Sequence, residues 1–229
     1  MSRLTAILFD IGWPIIDETE MHKAWNQHLK VLMQKITGRL ISDAEIEKYE
    51  SEAVRCYAPS LFSYVIWQLA KPDEGLFYRL RGEFDRFDFC SMYSLQPDAI
   101  ATLRALHQRF KLGIAANQPE NALRYLKKLG ILEFFDSCRV SGEIGFSKPD
   151  VRLFLRVLDD LKSKAEESIM VGDRIDNDII PAKLVGMRTI LISVGPHRHQ
   201  EPRYPNENPD FRVSALSEIL SLPPICGQL

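Results

Sequence analysis

A parallel α/β sheet flanked by helices, with a helical domain inserted near its start, is the fold that the sequence predicts. Three observations carry it. Leu4 to Phe9 is a short, mostly apolar run that ends abruptly at Asp10, as a buried strand would. Residues 18–90 are helical in pattern and hold almost no Gly-flanked apolar strand. After Tyr93 the texture changes to strand–helix alternation with short links, the pattern of a parallel sheet covered on both faces. The expected division is an α/β core of residues 1–16 and 94–229, with residues 17–93 as the insertion.

Along the chain, Asp17-Glu18-Thr19-Glu20 reads as a capping box ahead of a helix over His22–Ile36, which Gly38 is placed to stop. Ser42-Asp43-Ala44-Glu45 is a second box, opening a helix to about Cys56. Pro59 and Pro72 punctuate the next stretch, with further helices expected over Leu61–Ala70 and Gly75–Phe84. In the alternating part, a helix over Pro97–Arg109 leads to a strand over Lys111–Ala116. A helix from Pro119 to Leu129 is closed by Gly130. A short strand near Cys138–Val140 precedes a helix from Pro149 to about Lys162. The strand Ser168–Val171, a helix over Ile179–Val185 ended by Gly186, and the strand Arg188–Ile192 come next. A last strand, Phe211–Val213, precedes a helix over Ser214–Leu220.

Composition narrows the function classes. The chain has 229 residues, 45% hydrophobic and 26% charged, with a formal net charge of -2 and a pI of about 6.2. No broad basic field exists to attract nucleic acid or an anionic membrane. Cys56, Cys90, Cys138 and Cys226 are scattered, without a CxxC pair, as in a reduced cytoplasmic protein. No N-terminal signal pattern and no bilayer-length apolar run are found.

Ligands of open parallel sheets sit beyond the carboxyl ends of the strands. Here those ends carry Asp10, then Ala116-Asn117-Gln118-Pro119, then Ser147-Lys148-Pro149-Asp150, then Gly172-Asp173-Arg174-Ile175-Asp176-Asn177-Asp178. Asp10 and Asp173 are hard oxygen ligands of the kind Mg²⁺ prefers, with Asp176 or Asp178 acting directly or through water. Lys148 would balance the carboxylates and hold a phosphate. Asn117 lies just ahead of a proline at a helix start, where free N–H groups favour an anion. A carboxylate beside Mg²⁺ can attack phosphorus and form an acyl phosphate. The acidic segment is no EF-hand loop, because Ile180 falls where a ligand is needed.

In order and spacing, these residues resemble the haloacid dehalogenase (HAD) superfamily of aspartate-nucleophile hydrolases. Leu8-Phe9-Asp10 matches its first motif and Ile114-Ala115-Ala116-Asn117 occupies the place of its second. Ser147-Lys148-Pro149-Asp150 matches the third, and Val171-Gly172-Asp173 with Asp178 the fourth. The resemblance implies a Rossmann-like core with a helical C1-type cap, subclass I. It implies that Asp10 is the nucleophile and a Mg²⁺ ligand, that Asp173 is the second carboxylate on the metal, and that Gly12 gives its backbone carbonyl. Asp178 would support the metal's water shell, and Lys148 would steady the nucleophile and hold phosphate together with Ala116 or Asn117. The substrate class implied is a small phosphorylated molecule, handled by a monomer or homodimer.

Three departures stand beside the match. Gly12 replaces the aspartate that usually serves as general acid and base, Pro14 replaces a threonine, and Ala116 replaces the phosphate-binding Ser or Thr. Trp13 takes the place of a glycine and either shapes a small pocket, blocks it, or packs in the cap hinge. A catalytically weakened ligand-binding protein is therefore the alternative. A 2-haloacid dehalogenase is a further one, for which Arg39 would be the needed arginine, although the many carboxylates of GDRIDND have little use in a metal-free site. His197 and His199 sit in a Pro-rich segment expected to be an exposed loop.

Overall fold

Small polar residues set most of the helix starts between residues 18 and 92. The computed structural model describes residues 3–227. They divide into two units, one formed by the chain up to Asp17 together with the chain from Tyr93 onward, the other by Glu18–Met92. The second unit holds α1 (Thr19–Thr37), α2 (Asp43–Cys56), α3 (Leu61–Ala70) and α4 (Glu74–Arg86). Ser42, Ser60 and Asp73 each accept a backbone N–H from three residues on, which satisfies a donor that the first helical turn leaves open. The expected box at Asp17–Glu20 does not form that way. Asp17 is engaged in a strand pairing with Ser94, so the N-cap position falls to Glu18. Gly38 ends α1 at φ 75, a left-handed conformation that glycine adopts without strain. Trp25 is the centre of this unit's core. It is fully buried against Phe84, Phe87 and Phe89, with Leu29, Met33, Ile66 and Leu80 around it.

In the first unit, six described strands form one parallel sheet. They are β1 (Ala6–Phe9), β4 (Lys111–Ala116), β5 (Ser137–Val140), β6 (Ser168–Gly172), β7 (Arg188–Ile192) and β8 (Phe211–Val213), in the order β5-β4-β1-β6-β7-β8. β2 (Ile16–Asp17) and β3 (Ser94–Leu95) pair antiparallel as a separate ribbon. β1 is central, between β4 and β6, with Phe9 level with Ile114 and Val171. All four of its residues are buried, as a strand covered on both faces requires. The helices of this unit are α5 (Ala99–His107), α6 (Ala122–Lys128), α7 (Ser141–Ile144), α8 (Arg152–Leu161), α9 (Ile180–Leu184) and α10 (Pro223–Cys226). α8 buries Leu153, Phe154, Val157, Leu158 and Leu161. It lies so close over β4 that a Cβ on Gly113 would stand 2.5 Å from Val157 Cγ1.

Several helix starts differ from expectation, each for a local reason. α6 begins at Ala122 rather than at Pro119. The intervening residues form a turn that Ala122 N–H closes on Pro119 O at 3.0 Å, and just ahead of it Gln118 O accepts Gly142 N–H at 3.0 Å. α8 begins at Arg152 rather than at Pro149, because the Asp150 carboxylate accepts Arg152 N–H and ends a turn there. The helix expected over Ile179–Val185 is present as α9, one residue shorter at each end, and a π-turn that the sequence did not suggest, Ile175–Ile179, runs into it. Such widened turns concentrate at functional sites. The helix expected over Ser214–Leu220 is a 3₁₀ segment, Leu216–Ser221.

Candidate active site

Asp10 lies directly after β1. Its N–H donates to Val171 O at 2.8 Å, so the sheet ladder reaches the residue, while its carboxylate accepts Ile11 N–H at 2.8 Å. Lys148 Nζ stands 3.1 Å from Asp10 Oδ1 and 2.6 Å from Asp178 Oδ1. One ammonium therefore bridges carboxylates from two strand ends. Asp178 is set by the π-turn: its Oδ2 accepts Arg174 N–H at 3.0 Å. It packs over Gly172 so closely that a Cβ there would lie 2.3 Å from the Asp178 carboxyl carbon. Asp10, Asp173 and Asp178 each offer a carboxylate oxygen, and these atoms lie within 4.8 Å of one another.

The charges explain the titration of the site. Burial pushes the Asp173 carboxyl up to about 8, with Asp178 adding to the rise and Arg174 and Lys148 opposing it. Burial also pushes Asp178 up to about 6, against the pull of Lys148. Asp10 is raised for the same reason, again against Lys148. Burial alone would lower Lys148, but Asp10 and Asp178 outweigh it and hold the ammonium above its usual range. Three carboxylates thus face one lysine, and further positive charge among them would reverse their shifts. The donor set fits a hard divalent cation, being all oxygen. Asp173 Oδ2 fits it too, because it is buried and has no hydrogen-bond partner among the described residues. Asp10 keeps the most access, its side chain 15% exposed against 1% for Lys148 and 0% for Asp178.

The other expected residues take varied places. Gly12 is buried in the tight loop after Asp10, bridged to Ile16. Ala116 is fully buried at the end of β4 and brings no polar side-chain atom. Asn117 uses both ends of its amide on the backbone of one residue: Nδ2 donates to Lys148 O at 2.9 Å and Oδ1 accepts Lys148 N–H at 2.7 Å. Its side chain thereby anchors Lys148, with one of its two amide N–H groups engaged in doing so. Pro119 does not begin a helix beside it. Asp176 is held by the Arg174 guanidinium at 2.5 Å and by Gln200 Nε2 at 2.9 Å. Arg39 pairs with Glu45 and donates to Leu69 O, all within the helical unit. The segment holding His197 is not the exposed loop expected, for His197 is buried while His199 is exposed. Gln200 and the burial of His197 had one available signal: the segment comes after the end of β7, at the same sheet edge as the other site residues.

A family model for haloacid dehalogenase-like hydrolases matches residues 4–186. The chain belongs to this family. A glyceraldehyde 3-phosphate phosphatase of Methanopyrus kandleri is 29% identical over 232 residues, covering 96% of this chain and 97% of its own. A phosphoserine phosphatase of Thermus thermophilus is 34% identical over 129 residues, 56% of this chain and 50% of its own. The crystal structure of a HAD phosphatase from Thermococcus onnurineus aligns with a TM-score of 0.65 at 25% identity, over 95% of this chain and 97% of that one. Among the described residues no helix is long and apolar enough to cross a membrane.

Trp13 is the odd residue for a HAD chain. It stands where family phosphatases usually carry glycine, and its backbone is in the left-handed region that favours glycine, with φ 68. A bulky residue there is strained and persists only where its surroundings fix it. Two contacts do so. Trp13 O accepts Gln96 Nε2 at 2.9 Å. The indole lies on the bare face of Gly195, where a Cβ would come within 2.3 Å of the ring.

Proposed function

We propose that this HAD hydrolase is a Mg²⁺-dependent phosphatase of a small phosphate monoester, with Asp10 as nucleophile. The observation that carries the reading is the gathering of Asp10, Asp173 and Asp178 oxygens within 4.8 Å, with Lys148 between two of them. Phosphatase names among the relatives, for glyceraldehyde 3-phosphate and phosphoserine, support the substrate class. An Asp10 oxygen attacks phosphorus and the P–O bond to the leaving alcohol breaks, giving an acyl phosphate that water then hydrolyses. Lys148 steadies the nucleophile and offsets charge on the phosphoryl oxygens. Asn117 fixes the backbone of Lys148 on both sides of its Cα. Phosphate contacts at the β4 end fall to backbone N–H groups, since Ala116 has no hydroxyl. Asp10, Asp173, Asp178 and the Gly12 carbonyl would hold the cation, which when bound would polarise the phosphoryl oxygens.

Gly12 leaves the departing alkoxide without the usual acid, an effect of about 10²–10⁴ in rate. The reading therefore expects aryl phosphates to turn over faster than alkyl phosphates. The test is a panel of both with Mg²⁺ and with chelator. Activity on the aryl ester that is lost with chelator and in Asp10→Asn supports it, whereas an active Asp10→Asn sinks it. The joint loss of polar groups at Gly12, Pro14 and Ala116 favours one second reading, a phosphate-ligand binder with negligible turnover. In that case the panel stays silent while a phosphate ligand still binds. A cytoplasmic setting and action as a monomer or homodimer belong to the same proposal.

A further inference from the structure

We propose that His197 is a positioning residue of the acidic site, which holds Asp173 for a divalent cation and so sets how tightly that cation binds. The inference rests on the metal-site reading of Asp10, Asp173 and Asp178. Its observations come from a segment that no catalytic motif includes.

After β7 the chain turns at Gly195 into a 3₁₀ segment, Pro196–His199. Both ends of this stretch are pinned. At its start, Gly195 lies under the Trp13 indole, which belongs to the loop just after Asp10. At its end, Gln200 grips the acidic loop twice: Oε1 accepts Ile175 N–H at 2.6 Å and Nε2 donates to Asp176 Oδ1 at 2.9 Å. Between the pins, His197 is 7% exposed. Its Nδ1 stands 3.5 Å from Asp173 Oδ2, the buried oxygen that no described residue serves. A buried carboxylate oxygen without a donor costs free energy. A shift of about half an ångström would bring the imidazole N–H to hydrogen-bond length. His197 does not join the three carboxylates whose oxygens gather within 4.8 Å. It acts on the cation through Asp173, as outer groups orient and tune metal ligands elsewhere.

The test uses the full chain and Mn²⁺ as a paramagnetic probe, titrated by electron paramagnetic resonance, with Mg²⁺ measured by competition. His197→Phe keeps the ring volume and removes both nitrogens. His197→Asn places an amide N–H near the position of Nδ1. The expected result is about a 10- to 100-fold weaker Mn²⁺ affinity in His197→Phe, with recovery to within about threefold of wild type in His197→Asn and unchanged circular dichroism in both. Wild-type affinity in His197→Phe overturns the proposal. Equal losses in the two variants also overturn it, because they mark a packing role. If His197→Phe fails to fold, His197→Asn decides: near-wild-type affinity supports the proposal and a tenfold loss overturns it. A wild-type chain that binds neither cation removes the metal-site reading itself, and the role of His197 with it.

Discussion

Replacing Gly195 with alanine tests the contact that joins the nucleophile loop to the segment carrying His197. Gly195 has φ 62 and ψ -158, a region that is essentially reserved for glycine. An alanine forced to stay there costs about 1–3 kcal/mol in backbone strain. The new methyl would also stand 2.3 Å from Trp13 Cδ2 and 2.6 Å from Cγ. Ordinary carbon contacts lie at about 3.5–4.0 Å, so the indole must move by more than an ångström. Overpacking of that kind adds about 1–3 kcal/mol. The lower entropy of alanine in the unfolded chain offsets less than about 1 kcal/mol. The expected destabilisation is therefore about 1–6 kcal/mol, a large share of a typical domain's stability. Urea unfolding monitored by circular dichroism measures it. The same substitution in a Trp13→Gly background should cost only the backbone part, leaving a coupling of about 1–3 kcal/mol between the two sites. A Gly195→Ala protein within about 1 kcal/mol of wild type, or an equal cost in both backgrounds, would refute the packing argument.

Other outcomes rest on the same structure. Lys148→Met should lower phosphatase turnover by at least about a hundredfold, read as initial rates at saturating Mg²⁺, because Asp10 and the buried Asp178 lose their shared ammonium. Cys138 is raised by burial to about 12, so at pH 8 roughly one thiol in ten thousand is ionised. Iodoacetamide with mass-spectrometric mapping should therefore alkylate the exposed Cys56 well before Cys138. Ser42→Ala should cost about 1 kcal/mol in a denaturation experiment, since Ser42 Oγ caps α2 through Glu45 N–H.

Much of the sheet was legible because its strands are short apolar runs with sharp ends. Lys111–Ala116, Arg188–Ile192 and Phe211–Val213 have the limits that their sequence suggests. Helix starts were less legible where a proline invited too early a beginning. Pro97, Pro119 and Pro149 each precede a turn whose backbone groups are already engaged, and α5, α6 and α8 begin two or three residues later. The two candidate capping boxes show the same limit. Ser42 is free to adopt the extended conformation a cap needs, φ -89 and ψ 160, whereas Asp17 is committed to β2.

At the site, the strand-end rule located Asp10, Lys148, Asp173 and Asp178 because each sits in or beside a recognisable run. It could not say which group Asn117 bonds, since a donor–acceptor side chain reads alike whether it meets an anion or a neighbouring peptide. His197 and Gln200 escaped because their partners, Asp173, Ile175 and Asp176, lie more than twenty residues earlier. A Pro-rich stretch looks exposed until the sheet folds it against the acidic loop. Trp13 was visible as an anomaly, but its partner was not, because a lone glycine after a strand carries no sign of the ring that will rest on it.

Covalent capture of the intermediate tests the central claim most directly. The protein is mixed with an aryl phosphate labelled with ³²P and Mg²⁺, quenched in acid within a single turnover, and digested for peptide mapping. The account predicts label on the peptide that contains Asp10, released by hydroxylamine as an acyl phosphate would be, and none in Asp10→Asn. Turnover with the label on another residue, or with no protein-bound phosphate while the aryl alcohol is released in a burst, would contradict it.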